Sequence, residues 1–515
     1  MARRRMRTAF GMHRSMLENL AFGFEIALSF QNLLFAFLGA LIGTAIGVLP
    51  GLGPTATISL LLPLTFGQDP TTAIIMLAGI YYGAQYGGST TAILLNLPGE
   101  ISGVVTAIEG HQMARQGRAG AALTAAALGS FFAGTIATGV VAAAGPALTS
   151  VALSFGPPEY FSLMTLGLIV SCVLSQGNVF KAVSMVMLGV MLGFIGTDVQ
   201  TGQQRFTFGV PELSDGINFV VLAMGLFGVS EIILNLSNPE KRAGSVAKRG
   251  KLWLTREEWR YAAPASLRGT VLGTMLGILP GGGASISSFG SYMLERKITR
   301  RPEKFGHGAI EGLAGPESAN NAGAQSSFIP LLTLGIPSNA VMALMVGALI
   351  IQGIQPGPRM MEAQPGLFWG LICSMWIGNV MLLIINLPMV GLWVQLLRVP
   401  YKFMYPSILV FCCIGAYSLN NSVFDVYMMG AASLLGYILA KLKLDSAPLL
   451  LGFVLGPMME EHLRRSMLLS RGDWMTFLER PISASLLAVA AVALLLMMSP
   501  ALRRKKDEAL TEEVA

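Results

Sequence analysis

The chain has 515 residues, 53% of them hydrophobic and only 12% charged, where a soluble domain carries about 25% charged residues. With a mean hydropathy of +0.62 and repeated apolar runs of about 20 residues, this excludes a soluble or disordered chain and predicts a polytopic membrane protein. The net charge of +7 gives no reason to expect nucleic acid, because the basic residues lie in short stretches between apolar spans, as the positive-inside rule requires.

Residues 1–19 are basic and show no cleavage pattern behind a short apolar core, so they read as a cytoplasmic N-terminus. Apolar segments follow at about 20–49, 55–66, 72–86, 89–97, 100–115, 121–153, 159–175, 179–197 and 216–236. After a polar stretch rich in Lys and Arg come about 265–280, 284–296, 309–315, 322–334, 339–353, 366–397, 404–419, 424–441, 446–458 and 482–499. Several are too short to cross about 30 Å of hydrocarbon. The expected fold is therefore an all-α polytopic integral membrane protein with about 10–12 transmembrane helices plus re-entrant or half-helices. Trp253, Trp259 and Tyr261 suit an amphipathic segment at the membrane surface. Cys172, Cys373, Cys412 and Cys413 lie in apolar runs without metal-ligand spacing and read as small core or lipid-facing residues.

An internal repeat organises these segments. Residues 39–54 and 269–284 are identical at eight of sixteen positions, and Gly39, Gly43 and Gly47 return as Gly269, Gly273 and Gly277 at an offset of 230. A four-residue spacing puts these glycines on one helix face, where another backbone can approach closely. Pro50 and Pro280 then break the helix. Asn96-Leu97-Pro98-Gly99 answers Gly335-Ile336-Pro337-Ser338 at an offset of 239, and Leu192-Gly193 answers Leu435-Gly436 at 243. Equivalent loops carry opposite charge bias: 67–70 has no basic residue, 296–304 has five. Two inverted repeats are expected from this. The domains are a first membrane repeat at 20–236, a basic cytoplasmic linker at 237–261, a second repeat at 262–480, a C-terminal transmembrane helix at 481–500 and a charged cytoplasmic tail at 501–515.

Each broken helix is followed by small and hydroxyl residues, among them Gly53, Thr55 and Thr57 in one half and Gly283 and Ser285 in the other. A helix starting after such a break directs unpaired N–H groups and a partial positive charge at the gap, where a carboxylate is a natural guest. Back-bonding of these hydroxyls to their own helices is the alternative. A second polar constellation covers Ser89, Thr90 and Asn96 in the first half and Glu317, Ser318, Asn320 and Asn321 in the second, and its hydroxyls, amides and free carbonyls are hard ligands for Na⁺. Glu317 is expected to bind a cation or carry a proton, or else to cap a helix near a surface. Glu100, Glu109 and Asp425 read as structural acids at helix ends. The four histidines form no H-E-x-x-H pattern, Ser89 has no base, and no P-loop is present, so no enzyme is expected.

GVLPGLGPTATISLLLPLTF (47–66), YYGAQYGGSTTAILLNLPG (81–99), EGLAGPESANNAGAQSSFIPLLTLGIP (311–337), GALIIQGIQPGP (347–358), GAYSLNNSVFDVYMMG (415–430) and LLLGFVLGPMMEEHLRRS (449–466) together resemble the large membrane subunit of the tripartite tricarboxylate transporters. The resemblance covers about 20–500. It implies a bacterial inner-membrane permease, with both termini cytoplasmic, working with a small membrane subunit and a periplasmic solute-binding protein that captures a carboxylate such as citrate. It implies symport driven by a cation gradient, Na⁺ or H⁺, with no cofactor. It maps glycine-rich signatures onto Gly51, Gly53, Gly281, Gly282 and Gly283, and polar signatures onto Ser89, Thr90, Asn96, Glu317, Asn320 and Asn321. Ser338 stands where that pattern has glycine. The alternative function is a stand-alone cation-coupled carboxylate carrier without a binding protein.

Overall fold

The computed structural model describes residues 15–49, 52–100, 102–174, 179–198, 200–237, 251–279, 283–396 and 401–498. The first half runs α1 (Met16–Ala27), α2 (Phe30–Gly47), α3 (Pro54–Leu61), α4 (Pro70–Leu95), α5 (Ser102–Met113), α6 (Ala119–Ala152), α7 (Pro157–Leu174), α8 (Val179–Gly193), α9 (Phe219–Ala223) and α10 (Ser230–Ser237). The second half runs α11 (Arg256–Gly277), α12 (Gly283–Ile298), α13 (Ile310–Ser326), α14 (Phe328–Leu334), α15 (Ala340–Ile351), α16 (Met360–Ala363), α17 (Pro365–Asn386), α18 (Val390–Leu396), α19 (Tyr401–Asn420), α20 (Val423–Lys441), α21 (Ser446–Leu469), α22 (Thr476–Glu479) and α23 (Pro481–Met498). One short antiparallel pair, β1 (Gly196–Thr197) with β2 (Gln204–Arg205), interrupts this helical series. The protein is an all-α polytopic membrane protein.

Local signals set the helix ends. Asp69 accepts from Thr71 N at 2.9 Å with Pro70 at the first position of α4, and Ser15–Glu18 and Thr255–Glu258 form capping boxes on α1 and α11. The second box starts α11 nine residues earlier than the apolar run suggests. It absorbs Trp259 and Tyr261 into that helix, and Arg301 lies over the Tyr261 ring at 3.3 Å. Asn96 (φ 57°) and Gly335 (φ 74°) terminate α4 and α14 in the left-handed region.

Among the described residues, five helices are long and apolar enough to cross a membrane: Phe30–Gly47, Ser102–Ala152, Phe219–Ser237, Pro365–Asn386 and Val423–Lys441. Apolar helices such as Val179–Gly193 and Ala340–Ile351 are shorter. Helix α4 is long but rich in Gly, Ser and Thr, and it is buried along nearly its whole length, so it meets protein rather than lipid. Large apolar side chains such as Phe30, Phe180, Met275, Phe411 and Leu495 are exposed on the outer helices, as a lipid surround requires. Trp369, Trp393, Tyr81, Phe328 and Phe368 are among the largest side chains of the core. Cys172, Cys373 and Cys412 are buried and Cys413 is exposed, all as free thiols.

Two expected interruptions are absent. Helix α4 continues through Gly87-Gly88, and α13 continues through Gly315-Pro316. In both places glycine serves contact: a Cβ on Gly87 would lie 2.6 Å from Thr44 O, and one on Gly315 would lie 3.0 Å from Glu295 Cγ and 3.1 Å from Ser291 Oγ. The backbone carbonyls of 86–92 and 315–321 are thus engaged in helices, which corrects the expectation that they are free to ligate an ion.

The repeat is visible as matched packing. In the first half a Cβ on Gly39, Gly43 or Gly47 would come within 3.0 Å of the carbonyl oxygens of Met76, Ile80 and Ala84; in the second, Gly269, Gly273 and Gly277 meet those of Gly315, Ala319 and Gly323 in the same way. The glycines differ by 230 and their partners by 239, the two offsets seen in the sequence. A second set of pairs is exchanged between halves. Gly193 of α8 meets Phe453 O of α21, and Gly436 of α20 meets Leu226 O, which lies between α9 and α10. Asp198 beside β1 binds Arg205 and Arg464, and Arg205 and Arg464 also pair with Glu460, which fastens the hairpin to α21. The backbone N–H of Gln200 and these guanidinium groups hold the Asp198 carboxyl below the usual carboxylate range.

Gly273→Ala adds a methyl group against the backbone of Ala319 and is expected to destabilise the fold by about 1–3 kcal/mol. Gly430→Ala, where a Cβ meets nothing within 4 Å, is expected to be neutral or to stabilise by about 0.5–1 kcal/mol. Thermal unfolding of the detergent-solubilised protein measures both, and equal melting temperatures would refute the close-contact account.

Candidate functional site

Glu317 lies midway along α13 and is 1% exposed. Its carboxylate accepts from the Ser89 hydroxyl of α4, 2.9 Å from each oxygen, from the Thr106 hydroxyl of α5 and, at 3.4 Å, from Ser130 of α6. One acid of the second half is thereby held by three hydroxyls of the first. No ion pair among the described residues includes Glu317. An acid at the bilayer centre costs about 2.5–3.5 kcal/mol on insertion scales. Hydroxyl dipoles offset part of that cost.

A cavity of about 20 Å³ opens beside this carboxylate, lined by Tyr86, Ser89, Thr90, Ser130, Glu317 and Asn386 among others. It has room for one water-sized guest. The Asn321 amide donates to Ser130 Oγ at 2.6 Å, and Tyr86 OH donates to Asn379 Oδ1 at 3.3 Å. Asn320 Oδ1, Asn386 Oδ1 and Ser318 Oγ are buried without a hydrogen-bond partner. Of these three, Asn386 lines the cavity beside Glu317, and Ser318 and Asn320 lie on α13. Among the described residues no group of three or more His, Cys, Asp and Glu suits a metal ion, so the chemistry here is that of hydroxyls, amides and a single carboxylate.

The predicted cation residues therefore separate. Ser89, Thr90, Glu317 and Asn321 are brought together; Ser318 and Asn320 lie on the same helix with unpaired oxygens. Asn96 is exposed and seven residues beyond Ser89, about 10 Å along the helix. The structure keeps it out of the cluster and gives it the left-handed cap of α4. Thr106, Ser130 and Asn386 join the site unforeseen, because single hydroxyls and amides in apolar helices carry no sequence pattern.

Of the residues predicted to meet a carboxylate, Gly51, Gly281 and Gly282 lie outside the described residues. Gly53 caps α3 in extended conformation, and a Cβ there would fall 2.6 Å from Gly99 O and 3.3 Å from the Glu100 Cβ. Thr57 Oγ1 donates back to Gly53 O at 2.9 Å, and Ser287 Oγ to Gly283 O at 2.7 Å. Thr57, at least, follows the back-bonded alternative. Thr55 and Ser285 are partly buried. Gly283 opens α12 at φ +49°, with a built Cβ 3.0 Å from Asn339 Nδ2. Ser288 Oγ of α12 donates to Ser102 O at the start of α5 at 3.0 Å, so helix starts from both halves meet. Ser338 is not among the residues with positive φ, so serine is accommodated there without backbone strain.

The other acids divide. Glu109 accepts from Tyr292 OH at 2.9 Å and from the N–H groups of Gly306, Gly308 and Ala309 at 2.6–2.8 Å, a structural tie. Asp425 in the first turn of α20 accepts from Asn420 at 2.9 Å. Glu100, partly buried at the start of α5, accepts from the Ser102 hydroxyl.

The profile described as the Tripartite tricarboxylate transporter TctA family matches residues 33–451. A protein of Agrobacterium vitis named "Uncharacterized 52.8 kDa protein in TAR-I ttuC' 3'region" is 58% identical over 498 residues, covering 97% of this chain and 99% of its own. Another from the same organism, "Uncharacterized protein in TAR-II ttuC' 3'region", is 56% identical over 241 residues, 47% of this chain and 100% of its own. No solved structure matches the chain significantly.

Ser130→Ala removes the acceptor of the Asn321 amide together with one donor to Glu317, and is expected to cost about 1–3 kcal/mol in thermal unfolding. Ser318→Ala, which removes a hydroxyl without a partner, is expected to leave the melting temperature unchanged. The same shift for both variants would show that the hydroxyl network does not support the fold.

Proposed function

The chain belongs to the tripartite tricarboxylate transporter TctA family, and from this premise we propose that it is the large permease subunit of a binding-protein-dependent secondary importer. Its cargo is a tricarboxylate or related carboxylate, and its driving force is a gradient of Na⁺ or H⁺ across a bacterial inner membrane. Its partners are a small membrane subunit and a periplasmic solute-binding protein, and both termini face the cytoplasm. The work is transport rather than catalysis, with no cofactor.

The observation that carries the coupling is the carboxylate of Glu317, unpaired with any base among the described residues and held between halves. A cation arriving in the adjoining cavity meets the acid and hydroxyls of Ser89, Thr90 and Ser130, all hard oxygen ligands. Because Ser89, Thr106 and Ser130 belong to the first half and Glu317 to the second, occupancy of this point alters how the halves attract each other. Inverted halves then give alternating access by movement of one part against the other. The carboxylate cargo docks near the helix starts at Gly53 and Gly283, where N–H groups and the helix dipoles favour an anion.

Vesicles reconstituted with the chain and its two partners are expected to take up carboxylate only under a Na⁺ or H⁺ gradient. Glu317→Gln is expected to lower gradient-driven uptake at least tenfold while leaving membrane insertion and the melting profile near those of the native chain. Uptake that survives collapse of every ion gradient would overturn the coupling, and uptake without the binding protein would favour a stand-alone carrier.

A further inference from the structure

Asn386, the last residue of α17, brings a further helix to the cavity beside Glu317. It lines that space together with Glu317 of α13 and with the hydroxyls of α4 and α6, and it is 5% exposed. Its amide nitrogen donates to Leu382 O at 2.9 Å, one turn back on its own helix. Only the nitrogen can donate to a carbonyl, so this bond fixes which end of the amide is the oxygen. That oxygen is buried with no hydrogen-bond partner, a costly arrangement in a protein interior.

The neighbours have nothing to give it. Each hydroxyl of the lining already donates elsewhere: Tyr86 to Asn379 Oδ1 at 3.3 Å, Thr90 to Tyr86 O at 3.2 Å, and Ser89 and Ser130 to Glu317 at 2.9 and 3.4 Å. Asn386 also closes its helix, and the last turn of a helix presents carbonyls rather than N–H groups. What the lining offers a guest is therefore lone pairs: those of the Glu317 carboxylate, of the Asn386 amide and of hydroxyls whose hydrogens are spent. A neutral water fits the volume, but no hydroxyl has a hydrogen left for it. A proton on Glu317 neutralises the acid without filling the space. A divalent ion such as Ca²⁺ takes 6–8 oxygen ligands, commonly from several carboxylates, whereas one acid among neutral oxygens suits a single positive charge.

We propose that Asn386 Oδ1 is a direct ligand of the coupling ion, so that the Glu317 cavity holds a dehydrated Na⁺ rather than a transferable proton. The ion then ties α17 to α4, α6 and α13. Leu387 and Val390, just beyond Asn386, line the same cavity, so release of the ion loosens the α17–α18 connection as well as the contact between halves. This inference rests on the reading of Glu317 as the coupling point.

Equilibrium binding of ²²Na⁺ to the purified full chain in detergent and choline buffer tests it without transport. The native chain is expected to bind Na⁺ and Glu317→Gln to lose that binding. Asn386→Leu is expected to bind at least tenfold more weakly, while melting near the native temperature in Na⁺-free buffer. Asn386→Ala is expected to show the same loss and decides the matter if the leucine variant fails to fold. Native affinity in a folded Asn386 variant, with binding lost in Glu317→Gln, would overturn Asn386 as a ligand and leave the Glu317 reading standing. A native chain that binds no Na⁺ yet drives uptake with a H⁺ gradient would overturn the Na⁺ site and leave Glu317 as a proton carrier. Native affinity in every variant would overturn the Glu317 reading as well.

Discussion

Backbone-to-backbone approach at glycine is the constraint on which the architecture rests. Along α2 and α4, and again along α11 and α13, carbonyl oxygens of one helix occupy the space where a Cβ of the other would stand. In a bilayer, apolar side chains gain little by leaving lipid, so helices associate through close packing and polar contacts. Glycine permits that closeness at the cost of helix propensity. The reciprocal contacts of Gly79, Gly83 and Gly87 against Ala36, Ala40 and Thr44 make the first pair self-complementary. The paired helices then present Ser89 on α4 and Glu317 on α13 to a shared interior.

That interior is polar where the surrounding protein is apolar, and its polarity is unbalanced. Hydroxyls of α4, α5 and α6 converge on one acid, whereas Glu109, equally buried, has four donors and serves the loop that it ties. The contrast separates an acid tied to a loop from one held by side-chain hydroxyls. Glu109 is satisfied by fixed N–H groups and has nothing to gain from an ion; Glu317 relies on rotatable hydroxyls, which can also turn a lone pair toward a cation.

Much of the fold was legible because glycine leaves a readable trace. The offsets of 230 and 239 reappear as packing partners, and the family that the motifs resemble is the one whose profile spans residues 33–451. The expected breaks at Gly87-Gly88 and Gly315-Pro316 failed for the same physical reason: glycine marks close approach as well as interruption, and sequence alone does not say which. Glu317 and Ser89 were legible as a rare intramembrane acid and a polar cluster. Asn96 misled because asparagine both ligates ions and adopts left-handed backbone, and its equivalent Gly335 shows that the second property is the one used. Thr106 and Ser130 were illegible, since their meeting with Glu317 depends on how helices far apart in sequence come together.

The exchanged pairs bear on biogenesis. The glycine face of α8 finds its mate on α21, some 260 residues later in the chain, while α20 finds its own between α9 and α10. During synthesis from the N-terminus, α8 and the α9–α10 segment must therefore wait in the bilayer with their contact faces covered only by lipid until the last third of the chain emerges. The finished protein is interlocked rather than assembled from two independently folded lobes. A truncated first half keeps an unsatisfied helix face, making it a natural substrate for membrane quality control.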